Sequence, residues 1–114
     1  MKFNSQICTT KEQSERLLAL GLKKETADFP VWGTEKLLYM GWSLHRIWVL
    51  MPKWIDTDKR RYYLQMNAKG DIGYFSDNYH ALEYFYGNET IYDDCISCIE
   101  WLIKEGHFNK EYLV

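Results

Sequence analysis

The stretch RRYYLQMNAKGDIGYF, residues 60–75, constrains the fold more than any other part of the chain. From Arg61 the pattern repeats every two residues, so Tyr62, Leu64 and Met66 share one face of an extended strand while Tyr63 and Gln65 take the other. Asn67-Ala68-Lys69-Gly70-Asp71 supplies residues that tolerate positive φ, after which Ile72, Tyr74 and Phe75 resume the extended pattern. The expectation is a β-hairpin. An isolated hairpin is marginal in water, so this one needs helices or further strands to pack against. Candidate strands lie at Phe3 to Ile7 and near Tyr84 to Tyr86, although Tyr79 to Phe85 is equally open to a short helix.

Helix signals flank the hairpin on both sides. Thr9 or Thr10 offers an N-cap hydroxyl, with Glu12 or Gln13 three residues on to complete a capping box. Leu17, Leu18 and Leu22 give this helix an apolar side, and Gly21 fits the position just past its end. The polar KKETADFP that follows reads as a connection broken at Pro30, with a short helical turn over Glu25 to Asp28. Lys36 to Met40, between Gly33 and Gly41, fits helix or strand. Ser43 then caps a helix in which Leu44, Ile47, Trp48 and Met51 form the buried stripe, leaving His45, Arg46 and Val49 outside it, and Pro52 ends it. The last helix starts at Thr90, carries Asp93 and Asp94 in its first turn near the positive helix end, and stops at Gly106. Helices around an antiparallel hairpin or small sheet make the class α+β, with about three helices. At 114 residues and without repeats or low-complexity tracts, one compact domain over 1–114 is expected.

Composition narrows the setting. With 46% hydrophobic and 26% charged residues the chain is neither disordered nor membrane-spanning in character, and no apolar run reaches bilayer length. The opening MKFNSQICTTKEQSE has no apolar stretch to serve as a signal peptide, and three cysteines suit a reducing compartment, so the expected location is the cytoplasm. The net charge of −2 conceals an asymmetry. Residues 51–70 carry five cations against two aspartates, whereas residues 71–105 carry eight carboxylates against Lys104 alone. Aromatic residues reach 17%, more than a core this small hides, so some rings are expected at the surface.

Little in the chain points to catalysis. On the last helix Ile91, Cys95, Cys98 and Leu102 fall on one stripe with Ile99 beside them, which places both thiols in the core as small hydrophobes. A redox pair would sit at the helix start rather than a turn inside it behind two aspartates. Zinc would need further ligands, and Cys8, His45, His80 and His107 are scattered without a second paired motif. No histidine accompanies a nucleophile signature or a glycine-rich phosphate loop. Neither a catalytic residue, a metal nor a cofactor is therefore assigned, and the protein is expected not to be an enzyme.

Two binding surfaces remain. The helical wheel places Trp101 beside the polar stripe of the last helix, where with Asp94 and Glu105 it would form an acidic, aromatic protein-binding surface. The competing reading is that the hairpin or the C-terminal tail covers that ring. Lys59-Arg60-Arg61 next to Tyr63 supplies cations and a ring for phosphates and bases. The same cations also discourage edge pairing of an exposed strand.

Three stretches, ICTTKEQSERLLALGLKKETADF at 7–29, GWSLHRIWVLMP at 41–52 and CIEWLIKEGHFNKEYL at 98–113, together resemble a family of small uncharacterised proteins encoded by gut anaerobic bacteria, often within prophage or other mobile elements. The shared features are Glu12-Gln13-Ser14, Leu20-Gly21-Leu22, Thr26-Ala27-Asp28, Trp42-Ser43-Leu44 and Gly106. Family members tend to have Pro-Ala before Trp-Ser-Leu, where this chain has Met40-Gly41. The resemblance implies a mobile-element setting and carries no assigned activity. The leading expectation is a non-enzymatic protein-interaction module with an unknown protein partner. The alternative is a nucleic-acid-associated protein using residues 59–61 beside the hairpin.

Overall fold

The computed structural model describes residues 5–114. The class is α+β, and the chain divides into two compact units, Met1–Leu50 with Glu111–Val114, and Met51–Lys110. The strand proposed from Phe3 begins outside the described residues, and Ile7 belongs to no strand.

The first unit begins with α1 (Lys11–Ala19). Its capping box is complete: the Gln13 backbone donates to Thr10 Oγ1 at 3.1 Å and the Thr10 backbone donates to Gln13 Oε1 at 2.9 Å. The helix stops where Gly21 takes φ +105°, a left-handed value that any residue with a Cβ adopts only under strain. Leu17 and Leu22 are buried as expected, but Leu18 is exposed, because the buried stripe runs through Gln13, Ser14 and Leu17 instead. A 3₁₀ turn follows at Lys24–Thr26, slightly earlier than the expected turn.

Next come two short strands, β1 (Phe29–Trp32) and β2 (Leu37–Gly41), paired antiparallel with Phe29 opposite Gly41. The segment open to helix or strand is therefore strand, and the presumed connection through Pro30 is its partner. Proline is tolerated there because β1 pairs on one side only. The helix α2 (Leu44–Leu50) buries Ile47 and Leu50, and the Arg46 backbone donates to Ser43 Oγ at its start.

Around fully buried Trp42 the unit is pinned by polar contacts. Its indole Nε1 donates to Thr26 Oγ1 at 3.0 Å, and its backbone nitrogen donates to Thr9 Oγ1 at 2.9 Å. Thr9 Oγ1 also meets Ser14 Oγ at 2.8 Å, while Ser43 donates to Asp28 from its backbone and its hydroxyl. The Thr-Ala-Asp, Trp-Ser-Leu and Glu-Gln-Ser motifs thus meet in one hydrogen-bonded junction. Buried hydroxyls need partners, and here each supplies another's. The end of the chain returns to this unit: Leu113 bridges Leu22, and the Lys23 backbone donates to the Tyr112 carbonyl at 2.8 Å.

The second unit is a four-stranded antiparallel meander, β3 (Trp54–Asp56), β4 (Arg61–Met66), β5 (Ile72–Phe75) and β6 (Ala81–Phe85), followed by α3 (Ile91–Lys104). The hairpin expected from the sequence is β4–β5, with Leu64 opposite Tyr74. The segment open to helix from Tyr79 to Phe85 is instead strand from Ala81 onward, and β3 extends the sheet on the other side. Ile55, Leu64, Ile72 and Tyr74 are buried, and α3 packs across β5 and β6. Met66, expected on the buried face with Leu64, is exposed near the end of β4. From α3 come Cys95, Ile96, Cys98, Ile99 and Leu102, all fully buried. Thr90 caps the helix by accepting from the Asp93 backbone, and Gly106 ends it. At Gly73 the sheet admits nothing larger, since a Cβ would lie 2.6 Å from Tyr84 Cα and collide with the Glu83 carbonyl oxygen. No helix among the described residues is long and apolar enough to cross a membrane.

Candidate binding surface

Side chains alternate between the faces of a strand, so burying Ile55, Leu64 and Tyr74 turns their neighbours outward. Trp54, Tyr63 and Phe75 come into register on three adjacent strands, Trp54 opposite Tyr63 and Tyr63 opposite Phe75. Trp54 and Tyr63 are exposed and Phe75 is half-buried. The row continues through Tyr84, whose ring lies 5.9 Å from that of Phe75, to Tyr86, stacked 5.4 Å beyond. Tyr84 and Tyr86 are exposed too. Gly73, opposite Tyr84, has no side chain to stand between the rows. The result is an aromatic band across all four strands.

One end of this face carries the cations. The turn at residues 57–60 and the turn at 76–80 lie side by side, and Lys59, Arg60, Arg61 and Tyr63 line a cavity of about 320 Å³ with Ser76, Asp77 and Asn78. The four residues singled out from the sequence are therefore together. They are not equivalent. Arg61 grips Asp56 with two hydrogen bonds, at 2.6 and 3.1 Å, and stacks over Trp54 with its guanidinium carbon 4.6 Å from the ring centroid. The hydrogen bond from Arg61 holds the Asp56 carboxyl below its usual range. Lys59 and Arg60 are exposed and form no ion pair among the described residues.

On the opposite side of the sheet, the helix residues proposed as a protein-binding surface do not assemble into one. Trp101 is half-buried, its ring 6.0 Å from Tyr74, 6.3 Å from Phe85 and 5.7 Å from His107. It is flanked by the hairpin, by β6 and by His107 three residues past the helix. Asp94 is only 5% exposed, and its Oδ1 accepts from the Asn88 amide at 2.7 Å and from the Asn88 backbone at 3.3 Å. Placing Asp94 on a surface is thus corrected: its carboxylate ties down the loop before α3. Glu105 alone is exposed, at the far end of the helix.

The cysteines lie where the helical spacing puts them. Burial pushes the Cys95 thiol up to about 12, helped by the charge of Asp94, and raises Cys98 as well, with Cys95 and Glu83 adding to it. Burial likewise raises the Cys8 thiol, partly offset by a hydrogen bond with Tyr39. Held protonated, these thiols are poor nucleophiles. Among the described residues no three His, Cys, Asp or Glu side chains gather in a metal-binding arrangement.

The sequence reading identified Lys59 to Tyr63 but not Trp54, Phe75, Tyr84 or Tyr86 as parts of the same surface. The available signal was the alternate spacing of Tyr84 with Tyr86 and of Arg61 with Tyr63, combined with a Trp two residues after Pro52. No family model, curated protein or solved structure matches this chain.

Proposed function

We propose that the protein is a non-enzymatic interaction module, acting in the cytoplasm in a phage or mobile-element setting, whose working surface is the open face of the four-stranded sheet. One observation carries this reading: a sheet whose inner face is filled by Ile55, Leu64, Ile72 and Tyr74 turns Trp54, Tyr63, Tyr84 and Tyr86 to solvent. Leaving four large rings exposed together forgoes burial that would stabilise the fold, and contiguous exposed rings mark sites of interaction. The face is broad and open, which suits an extended partner laid across it better than a small molecule held inside. Buried, protonated thiols support a binding role over a catalytic one.

The test compares the wild-type protein with a Tyr63→Ala/Tyr84→Ala variant in pull-downs from host lysate, with folding checked by circular dichroism. Loss of captured material from a folded variant is the expected outcome. Capture unchanged from wild type overturns the assignment to this face.

A further inference from the structure

We infer that the open face binds single-stranded nucleic acid, with bases stacked along the aromatic band and a phosphate held by Lys59 and Arg60. This rests on the reading of that face as the working surface, and names its ligand.

Three observations converge. Trp54, Tyr63 and Phe75 stand in register across three strands, and Tyr84 and Tyr86 continue the row as stacked rings. Adjacent strands lie about 4.8 Å apart, so the band presents successive flat surfaces to which about two or three bases could stack. Every base has a π-face, which makes such a band tolerant of sequence. At the end of the row, Lys59 and Arg60 are exposed and carry charge that no carboxylate among the described residues has taken up. Arg61 differs: its charge is committed to Asp56, and its guanidinium extends the stacking surface over Trp54. The Asn78 amide in the same cavity adds polar contacts of the kind a phosphate accepts.

The surrounding charge decides which nucleic acid fits. Asp77 lines the same cavity, Asp58 sits on the same turn as Lys59, and the sequence from 71 to 105 is strongly acidic. A duplex hides its base faces and offers mainly phosphates, which such a unit repels. A single strand offers rings, and its stacking compensates for the weak electrostatic term. Selectivity for single strands therefore follows from the acidity rather than conflicting with it.

The experiment measures fluorescence anisotropy of labelled twenty-nucleotide oligo(dT) and oligo(U), and of a duplex of the same length, with the full chain over a salt series. The expected result is binding of a single strand at least tenfold tighter than of duplex. With one phosphate neutralised, log K should fall against log salt with a slope of about −0.7, and less steeply in Lys59→Ala/Arg60→Ala. Tyr63→Ala and Tyr84→Ala should each weaken binding by about 5- to 150-fold, the range for losing one stacked base, while Tyr63→Phe should retain it. Circular dichroism and melting of each variant separate lost binding from lost folding. Equal or tighter binding of duplex overturns the inference, as does a salt slope unchanged in the Lys59→Ala/Arg60→Ala variant. If no oligonucleotide binds but a protein partner or a second copy of the chain is lost in Tyr63→Ala/Tyr84→Ala, the nucleic-acid inference fails and the working face stands. If the folded Tyr63→Ala/Tyr84→Ala variant loses nothing at all, both fail.

Discussion

Replacing Gly73 by alanine sets two effects of opposite sign against each other. Alanine removes glycine's conformational freedom from the unfolded chain, which by itself stabilises by about 0.5–1 kcal/mol. In the folded sheet, however, the new Cβ would sit 2.6 Å from both Tyr84 Cα and Tyr84 Cβ and against the Glu83 carbonyl oxygen. The obstacle is mostly backbone, so no rotamer change relieves it. Either β6 moves away from β5 and loses its ladder bonds, or the bulge between Tyr74 and Phe75 spreads. Overpacking of this kind costs about 1–3 kcal/mol, and losing a backbone hydrogen bond adds about 1 kcal/mol. The clash wins, giving a net destabilisation of roughly 1–3.5 kcal/mol after the entropic gain is subtracted. At about 4 °C per kcal/mol, the melting temperature should fall by roughly 4–14 °C. Urea unfolding followed by tryptophan fluorescence and by far-UV circular dichroism gives the same quantity independently. An alanine variant as stable as wild type, or more so, would show that β5 and β6 are not as closely apposed at this point as described.

Other substitutions probe the remaining links. Thr10→Ala removes a cap and should cost about 1 kcal/mol in chemical denaturation; Thr9→Val should cost more, because the fully buried Thr9 hydroxyl serves both the Trp42 backbone and Ser14. Trp101→Ala should act on stability rather than recognition, lowering it by about 2–4 kcal/mol as Tyr74, Phe85 and His107 lose their shared neighbour, while a variant kept folded retains its ligand. Cys95 and Cys98 should resist iodoacetamide at pH 8 in the native protein and react fully in denaturant, as read by intact mass; rapid native labelling of either refutes their burial. Their thiols are raised in the folded state, so below about pH 8.5 both folded and unfolded chains hold these protons and stability is unaffected. As pH rises past that value only the unfolded chain releases them, and stability should fall by up to about 1.4 kcal/mol per pH unit for each thiol. For Cys95 that loss continues toward about 12. Cys95→Ala/Cys98→Ala should flatten this alkaline limb in urea titrations at successive pH values.

What the sequence discloses depends on how local its cause is. The cap at Thr10, the stop at Gly21, the Ser43 start and the Thr90–Gly106 helix are each written within a few residues, and the hairpin is announced by its own turn. β1, β2 and β3 are too short to establish a period, and Pro30 within β1 argues against a strand unless its edge position is known. The site divides in the same way. Lys59 to Tyr63 stand out as a run, whereas Trp54, Phe75, Tyr84 and Tyr86 join them only through pairing registers between separate strands. Trp101 shows the converse. A helical wheel locates its side of α3, but the reach of Tyr74 and Phe85 from the sheet determines whether that side meets water.

The pairing of residues 112–114 with residues 21–23 carries a consequence for synthesis. Leu113 pairs with Leu22 across 91 positions, and Val114 donates its backbone to the Gly21 carbonyl. Residues 51–110 are all synthesised before the strand partner of Leu22, so the earlier unit waits through the whole of the other one for its last pairing. The segment that is made first thus gains these pairings last, after the whole of the other unit has been synthesised.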